Sequence, residues 1–336
     1  MLLSSFVQLG DQIKNNLLQP SEAFKAQIFR ARQENGWFEE PFVLKALEHW
    51  ANLLQEDNLK KIFPASPAEK PLRVLVIGAG NIPLAAFHDV LCVLASGHHL
   101  ILKLSSDDRI LTAMLLQWLM ELEPEWRNRI SLLDAPLKNQ KPDAVIASGS
   151  DASEKIFREY FKNIPHILRK SRTGLAVLDG KETDDELKKL ADDVFLYFGL
   201  GCRNVTALLV PENFDLNRLS SIWEKPYAKI LMQNKKYSNN YDYYKAMFVL
   251  SKTDFSDHGF FLAKNQTHSP FSPPSVINVI RYNKITDAKA KIDEWAPRLQ
   301  CVVGGHQKTP FGFAQFPVIN DYADGINTME FLVNLK

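Results

Sequence analysis

From Leu72 onward, short apolar runs alternate with segments of helical length, and this alternation constrains the fold more than any other feature of the sequence. Residues 73–77 form a β-branched run that ends in Gly78-Ala79-Gly80-Asn81, and a helix-compatible stretch follows to Ser96, closed by Gly97. Residues 99–104 read as the next strand, 109–122 as a helix, 144–147 as a strand ending in Ser148-Gly149-Ser150, and 151–161 as a helix. Strands separated by helices require a mostly parallel sheet covered on both faces. Such sheets collect ligands outside the carboxyl ends of their strands. Three predicted strand ends carry small or polar residues suited to that role: 78–81, 103–106 and 148–150.

The flanking regions have other textures. Residues 1–66 read as helical: Phe24, Ile28 and Ala31 share one face of a segment stopped by Gly36, and Val43, Leu47, Trp50 and Leu54 recur at helical spacing. Pro64, Pro67 and Pro71 mark a linker. A second unit is expected to begin near Gly174, with a helix over 184–198 whose first turn is acidic. A strand over 205–210 comes next, then a polar, tyrosine-rich segment over 234–244 expected to be a loop or flap. A proline-rich turn over 270–274 leads into a strand over 276–282.

Composition removes several classes of function. Of the 336 residues, 46% are apolar and 24% charged, which supplies material for packed cores. The net charge of +1 gives no electrostatic footprint for a nucleic-acid partner. The three cysteines, Cys92, Cys202 and Cys301, are far apart and form no C-x-x-C pair, which excludes a disulfide framework and a zinc ribbon and fits a reducing, cytoplasmic setting. Gly10, Asp11 and Lys14 interrupt the opening apolar patch too early for a secretory signal, and no window supplies the ~20 apolar residues of a membrane span. The histidines form no H-x-H or H-x-x-x-H set, so no metal site is expected.

Few residues remain that could do chemistry. Gly78-Ala79-Gly80 lacks the third glycine of a dinucleotide fingerprint, because Pro83 stands in its place, and no Walker lysine follows. Asn81 offers an amide at a strand end. Cys92 and Cys301 lie in apolar surroundings and read as small core residues. Cys202 differs: Gly199 and Gly201 let the chain turn sharply beside it and keep the sulfur reachable. It follows the carboxyl end of a helix, whose dipole opposes a thiolate, so its activation must come from a neighbour such as Arg203 or from a base elsewhere. Arg169, Lys170 and Arg172 read as a solvated basic face, with phosphate binding as the alternative.

The order of these motifs resembles the aldehyde dehydrogenase superfamily, and within it the acyl-CoA reductases of the bioluminescence fatty-acid reductase type. Gly80-Asn81-Ile82-Pro83 resembles the superfamily's N-x-P segment, whose amide helps to form an oxyanion hole. Leu102-Lys103-Leu104-Ser105-Ser106 resembles its K-P-S-E strand end, where the lysine meets the adenosine ribose. Ser148-Gly149-Ser150 resembles its cofactor-side G-S helix start, and Gly199-Leu200-Gly201-Cys202 its G-Q-x-C nucleophile loop. Residues 270–282 resemble the segment around E-x-F-G-P, and Asp324-Gly325-Ile326-Asn327-Thr328 with Phe331 the C-terminal stretch.

The resemblance implies an α/β, aldehyde-dehydrogenase-like fold with a parallel-sheet nucleotide-binding domain, an α/β catalytic domain and a helical N-terminal region. The expected borders are 1–175 for the N-terminal region with the NAD(P)-binding domain, 176–304 for the nucleophile-bearing domain, and 305–336 for a segment returning to the first. It assigns Cys202 and Asn81 to catalysis, and Gly80, Lys103, Ser105, Ser106, Gly149 and Ser150 to the cofactor. Two departures sharpen the expectation. No acid lies between Glu159 and Asp179, where oxidising relatives carry the glutamate that activates water, so thioester exchange with coenzyme A is favoured over hydrolysis. Ser106 replaces an acid that would repel a 2′-phosphate, which favours NADPH over NADH. Ser269 stands where relatives carry a ribose-binding glutamate. The implied function is NADPH-dependent reduction of an acyl-CoA to an aldehyde, with coenzyme A as leaving group. Reduction of an acyl phosphate, coenzyme-A-independent aldehyde oxidation, and a nucleotide- or CoA-binding protein with a structural Cys202 are the alternatives. The chain is short for the superfamily, so a homo-oligomer stays open but a tetramer is not assumed.

Overall fold

A computed structural model describes residues 2–133, 141–265 and 268–335; Met1, where the helical expectation begins, lies outside them. The chain divides into two compact units, one formed by Met1–Ser171 with Val318–Lys336 and the other by Arg172–Pro317. The second border falls later than the expected 304/305. Residues beyond Val303 stay in the second unit, where the Gly312 and Ala314 N–H groups donate to the Asp193 carboxylate at 2.6 and 2.8 Å and Val303 pairs with Thr309.

The first unit opens with four helices, α1 (Leu2–Leu18), α2 (Glu22–Glu34), α3 (Glu40–Leu53) and α4 (Glu56–Leu59). Ser21 caps α2 by accepting the Phe24 N–H, and Phe24, Ile28 and Ala31 are buried as their spacing requires. The helix ends at Asn35 rather than through a left-handed Gly36: the buried Asn35 amide donates to the Asp107 carbonyl at 3.2 Å and accepts the Trp37 N–H.

Strands β1 (Arg73–Ile77), β2 (His99–Lys103), β3 (Ile130–Leu132), β4 (Ala144–Ser148) and β5 (His166–Arg169) form a parallel sheet in the order β3-β2-β1-β4-β5. Helices α5 (Phe87–Ala95), α6 (Arg109–Leu122) and α7 (Asp151–Tyr160) connect these strands. The strand order reverses at β1, so the switch point lies between the carboxyl ends of β1 and β4. The stretch expected to be helical up to Ser96 is helical only from Phe87, because residues 81–86 are spent on turns. The core joins both faces of the sequence in this unit: Phe6, Leu47 and Trp126 from the first part pack in the same cluster as Ile319, Met329 and Leu332 from the last, the latter two on α13 (Thr328–Val333).

The second unit carries a six-stranded sheet in the order β11-β6-β7-β10-β9-β8. Its strands are β6 (Thr173–Val177), β7 (Val205–Pro211), β8 (Phe255–Asp257), β9 (Leu262–Asn265), β10 (Val276–Tyr282) and β11 (Leu299–Val303), all parallel except the β8–β9 pair. Helices α8 (Asp184–Phe195), α9 (Leu216–Trp223), α10 (Lys229–Gln233), α11 (Lys235–Leu250) and α12 (Ile285–Trp295) complete it. Thr183 and Glu186 form a capping box at the start of α8. The expected flap over 234–244 is instead the start of α11, with Asn234 as its cap. Among the described residues no helix is long and apolar enough to cross a membrane.

Candidate active site

In the first unit the parallel register sets three loops side by side. Ile77 of β1 pairs with Lys103 of β2 on one side and with Ala147 of β4 on the other, so 78–81, 104–106 and 149–150 leave the same edge of the sheet. The Gly78 N–H donates to the Lys103 carbonyl at 3.1 Å. Gly80 is buried against the second loop, where a Cβ atom would lie 2.3 Å from Ser105 Oγ and 2.6 Å from Ser105 Cβ. Only glycine permits that approach. The Ser105 hydroxyl accepts the Asp107 N–H and thereby caps the turn at Ser106–Asp108. Ser150 caps α7 in the same manner, accepting the Ser153 N–H at 3.2 Å, and directs the amino end of that helix to the switch point. Lys103, Ser105 and Gly149 are half-buried, and Ser106, Ser150 and Asn81 are exposed.

The loop that carries Asn81 is anchored from below. Leu84, at a φ of 60°, donates its N–H to Asp108 Oδ2 at 2.7 Å, and the Thr112 hydroxyl donates to the same oxygen. Burial pushes the Asp108 carboxyl well above the usual carboxylate range. Nothing in the local sequence singled Asp108 out; its partner lies 24 residues away.

The basic group at 169–172 does not form one solvated face. Arg169, at the carboxyl end of β5, is buried, paired with Asp89 of α5, and donates to the Thr328 hydroxyl at 2.9 Å. Arg172 donates to the Leu299 carbonyl at 2.9 Å, while Lys170 is exposed. Ser171 donates its N–H to Asp151 Oδ1, which fixes the stretch where oxidising relatives carry their base. His98 is also structural: its Nδ1 accepts the Leu72 N–H and its Nε2 donates to the Leu332 carbonyl. Among the described residues no group of metal-ligating side chains occurs.

The three cysteines part company as their surroundings predict. Cys92 in the first unit and Cys301 in the second are buried, whereas Cys202 is exposed. Burial pushes the Cys92 thiol well up. The helix before Cys202 ends at Phe195, not at the expected 198. Tyr197 and Phe198 adopt left-handed backbone, with φ of 56° and 58°, and Gly199 follows at 76°. Two aromatic residues in that region cost about 1–3 kcal/mol each and persist only when their surroundings hold them. Phe198 is held by packing against Tyr237 with ring centroids 5.8 Å apart. Residues 201–204 then form a turn, in which the Asn204 N–H donates to the Gly201 carbonyl at 3.0 Å, and β7 begins at Val205. Asn81 belongs to the first unit and Cys202 to the second.

The protein-family model for acyl-CoA reductases (LuxC) matches residues 68–303. The chain belongs to this family. It is therefore an oxidoreductase acting on aldehyde or acyl groups. Solved structures place this chain on the aldehyde dehydrogenase fold. An NAD-dependent benzaldehyde dehydrogenase from Corynebacterium glutamicum superposes with a TM-score of 0.65 at 12% identity, covering 90% of this chain and 75% of that one. An NADP-dependent glyceraldehyde-3-phosphate dehydrogenase from Bacillus halodurans, solved with NADP, gives 0.62 at 12% identity over 90% and 72%. Aldehyde dehydrogenase C from Pseudomonas syringae, solved with NAD+ and octanal, gives 0.61 at 12% identity over 90% and 70%. Comparison with curated proteins finds no match.

Proposed function

We propose that this acyl-CoA reductase converts an acyl-CoA thioester to an aldehyde with NADPH, through an acyl-enzyme on Cys202. The observation that carries the reading is an exposed cysteine on a glycine-flanked turn in a family of acyl-CoA reductases, in a chain that has no acid between Glu159 and Asp179. In this reading the first unit is the cofactor domain, and the second, from Arg172 to Pro317, bears the nucleophile.

The residues at the switch point fit a dinucleotide. Three short loops leave adjacent strand ends, Gly80 lets the first of them pack closely on Ser105 of the second, and a helix amino terminus capped by Ser150 faces the same edge. Gly80, Lys103, Ser105, Ser106, Gly149 and Ser150 would hold NADPH. Ser106 in place of an acid, beside Lys103, supports the phosphorylated cofactor over NADH. Held there, NADPH would supply the hydride that reduces the acyl carbon.

The Cys202 thiolate attacks the carbonyl carbon, its sulfur forms the new thioester, and the carbon–sulfur bond to coenzyme A breaks, releasing that thiol after it takes up a proton. The backbone N–H of Cys202 and the Asn81 amide donate to the oxyanion of the tetrahedral species. Loss of one such donor typically slows the reaction about 10²–10³-fold. With no carboxylate base in the 168–174 stretch to activate water, the acyl-enzyme lasts until it is reduced, and the sulfur leaves as thiolate. The family supports an acyl substrate, and the three cysteines, none in a disulfide, fit a cytoplasmic setting.

The test is NADPH consumption against a panel of acyl-CoA chain lengths, with an acyl phosphate and a free aldehyde as the competing substrates. Cys202→Ser is expected to lose at least 10³-fold of acyl-CoA-dependent activity while binding NADPH normally. Turnover of that variant at the wild-type rate would refute the covalent scheme.

A further inference from the structure

We infer that Asn204 is the positioning residue of the Cys202 turn, a role that rests on Cys202 being the nucleophile. Its side chain is fully buried and uses both ends of its amide. Oδ1 accepts the Gly201 N–H at 2.8 Å, one residue before the cysteine. Nδ2 donates to the carbonyls of Asp193, Val194 and Leu196 at 3.1, 3.2 and 2.8 Å. Those carbonyls belong to the end of α8, where no further turn of helix exists to satisfy them. One side chain therefore clips the incoming end of the loop to its outgoing end, across the left-handed residues Tyr197 and Phe198.

The chemistry of the position is narrow. An ionised carboxylate cannot donate, a hydroxyl is too short to span both sides, and only an amide offers acceptor and donor at fixed spacing. The main chain of the same residue is held as well. The Asn204 carbonyl accepts the Gly174 N–H at 2.8 Å and the Thr173 hydroxyl at 3.1 Å. A Cβ atom at Gly174 would stand 2.5 Å from the Arg203 carbonyl oxygen, so strand β6 meets the turn backbone to backbone. Cys202 thus sits between Gly201 and Arg203 with the backbone restrained on both sides, and Asn204, more than the glycines that admit the turn, holds the stretch that carries the sulfur.

Asn204→Asp keeps the shape and the acceptor for Gly201 but removes the donors to three carbonyls. Two rates are compared on the folded variant: single-turnover release of coenzyme A, which needs an aligned sulfur, and alkylation of Cys202 by iodoacetamide, which needs only a reachable thiolate. Misplacement of a reacting atom by about 1 Å costs about 10²-fold. Acylation is expected to fall by about that factor, while alkylation stays within about threefold and NADPH affinity is unchanged. A purely structural role would lower activity only in proportion to the unfolded fraction, and acylation of the folded variant at the wild-type rate overturns the inference. Should the variant not fold, amide exchange in the wild-type protein decides: the Gly201 N–H is expected to exchange at least about 10²-fold more slowly than an unstructured amide, and exchange at the unstructured rate overturns the inference. Failure of the covalent reading itself looks different, because Cys202→Ala would then keep turning over acyl-CoA.

Discussion

Gly80 shows how little freedom a single position has when two loops meet through backbone. Any side chain there must displace Ser105, whose hydroxyl caps the following turn. Gly80→Ala is therefore expected to cost roughly 1–3 kcal/mol of stability and to weaken NADPH binding about tenfold. Urea denaturation and fluorescence titration with NADPH check the two effects, and unchanged affinity would remove Gly80 from the cofactor assignment. The candidate residues near strand ends were legible because the signal is local: a β-branched run, then small and polar residues. Arg169 was not, since its partners Asp89 and Thr328 lie 80 and 159 residues away. Asn204 stood in plain view beside Cys202, yet its importance comes from carbonyls that become orphans only once α8 stops at Phe195.

At the scale of elements, α11 is the instructive misreading. Its tyrosines have the composition of a polar loop, but Tyr237, Tyr241 and Phe248 are buried and Tyr244 packs with them at helical intervals. Each buried hydroxyl finds an acceptor, the Phe260 carbonyl for Tyr237 and Asp257 for Tyr241, so the polarity that resembled exposure is satisfied inside. The link between α8 and residues 312–314 carries a pH dependence. Burial raises the Asp193 carboxyl from its ordinary 3.8 to about 7, against the opposing pull of two backbone donors and with Asp192 adding to the rise. Between those values the folded protein holds a proton that the unfolded chain has lost, so Asp193's contribution to stability declines as pH rises and is gone above about 7. Relative to Asp193→Asn, wild-type stability is expected to fall between about pH 5 and pH 7 by on the order of 1 kcal/mol per unit, measured by urea denaturation. A difference that rises with pH would contradict this assignment.

For the molecule as a whole, the strand–helix alternation gave the three central strands of the first sheet, β1, β2 and β4, because each is an apolar run closed by small or polar residues. The edge strands β3 and β5 escaped notice, being short and carrying few apolar residues. The discontinuity of the first unit was expected from the resemblance, but the border lay at 318 because residues 305–317 are bound to α8 by contacts that sequence does not display. Ile319, Met329 and Leu332 are each nearly or fully buried in the first unit's core. Burying such side chains is worth about 1.5–3 kcal/mol apiece, together comparable to the entire stability of an ordinary domain. Removal of residues 318–336 is accordingly expected to abolish cooperative unfolding of the first unit, followed by calorimetry and by protease cleavage in residues 1–171.

The same arrangement dictates a schedule for the newborn chain. A ribosome will have released all of 172–317 before the residues that cover α5 and meet Arg169 emerge, so the half that starts first finishes last. During that interval a buried-to-be arginine and an uncovered apolar helix wait in water, and the cell's folding helpers have their longest opportunity on the first unit.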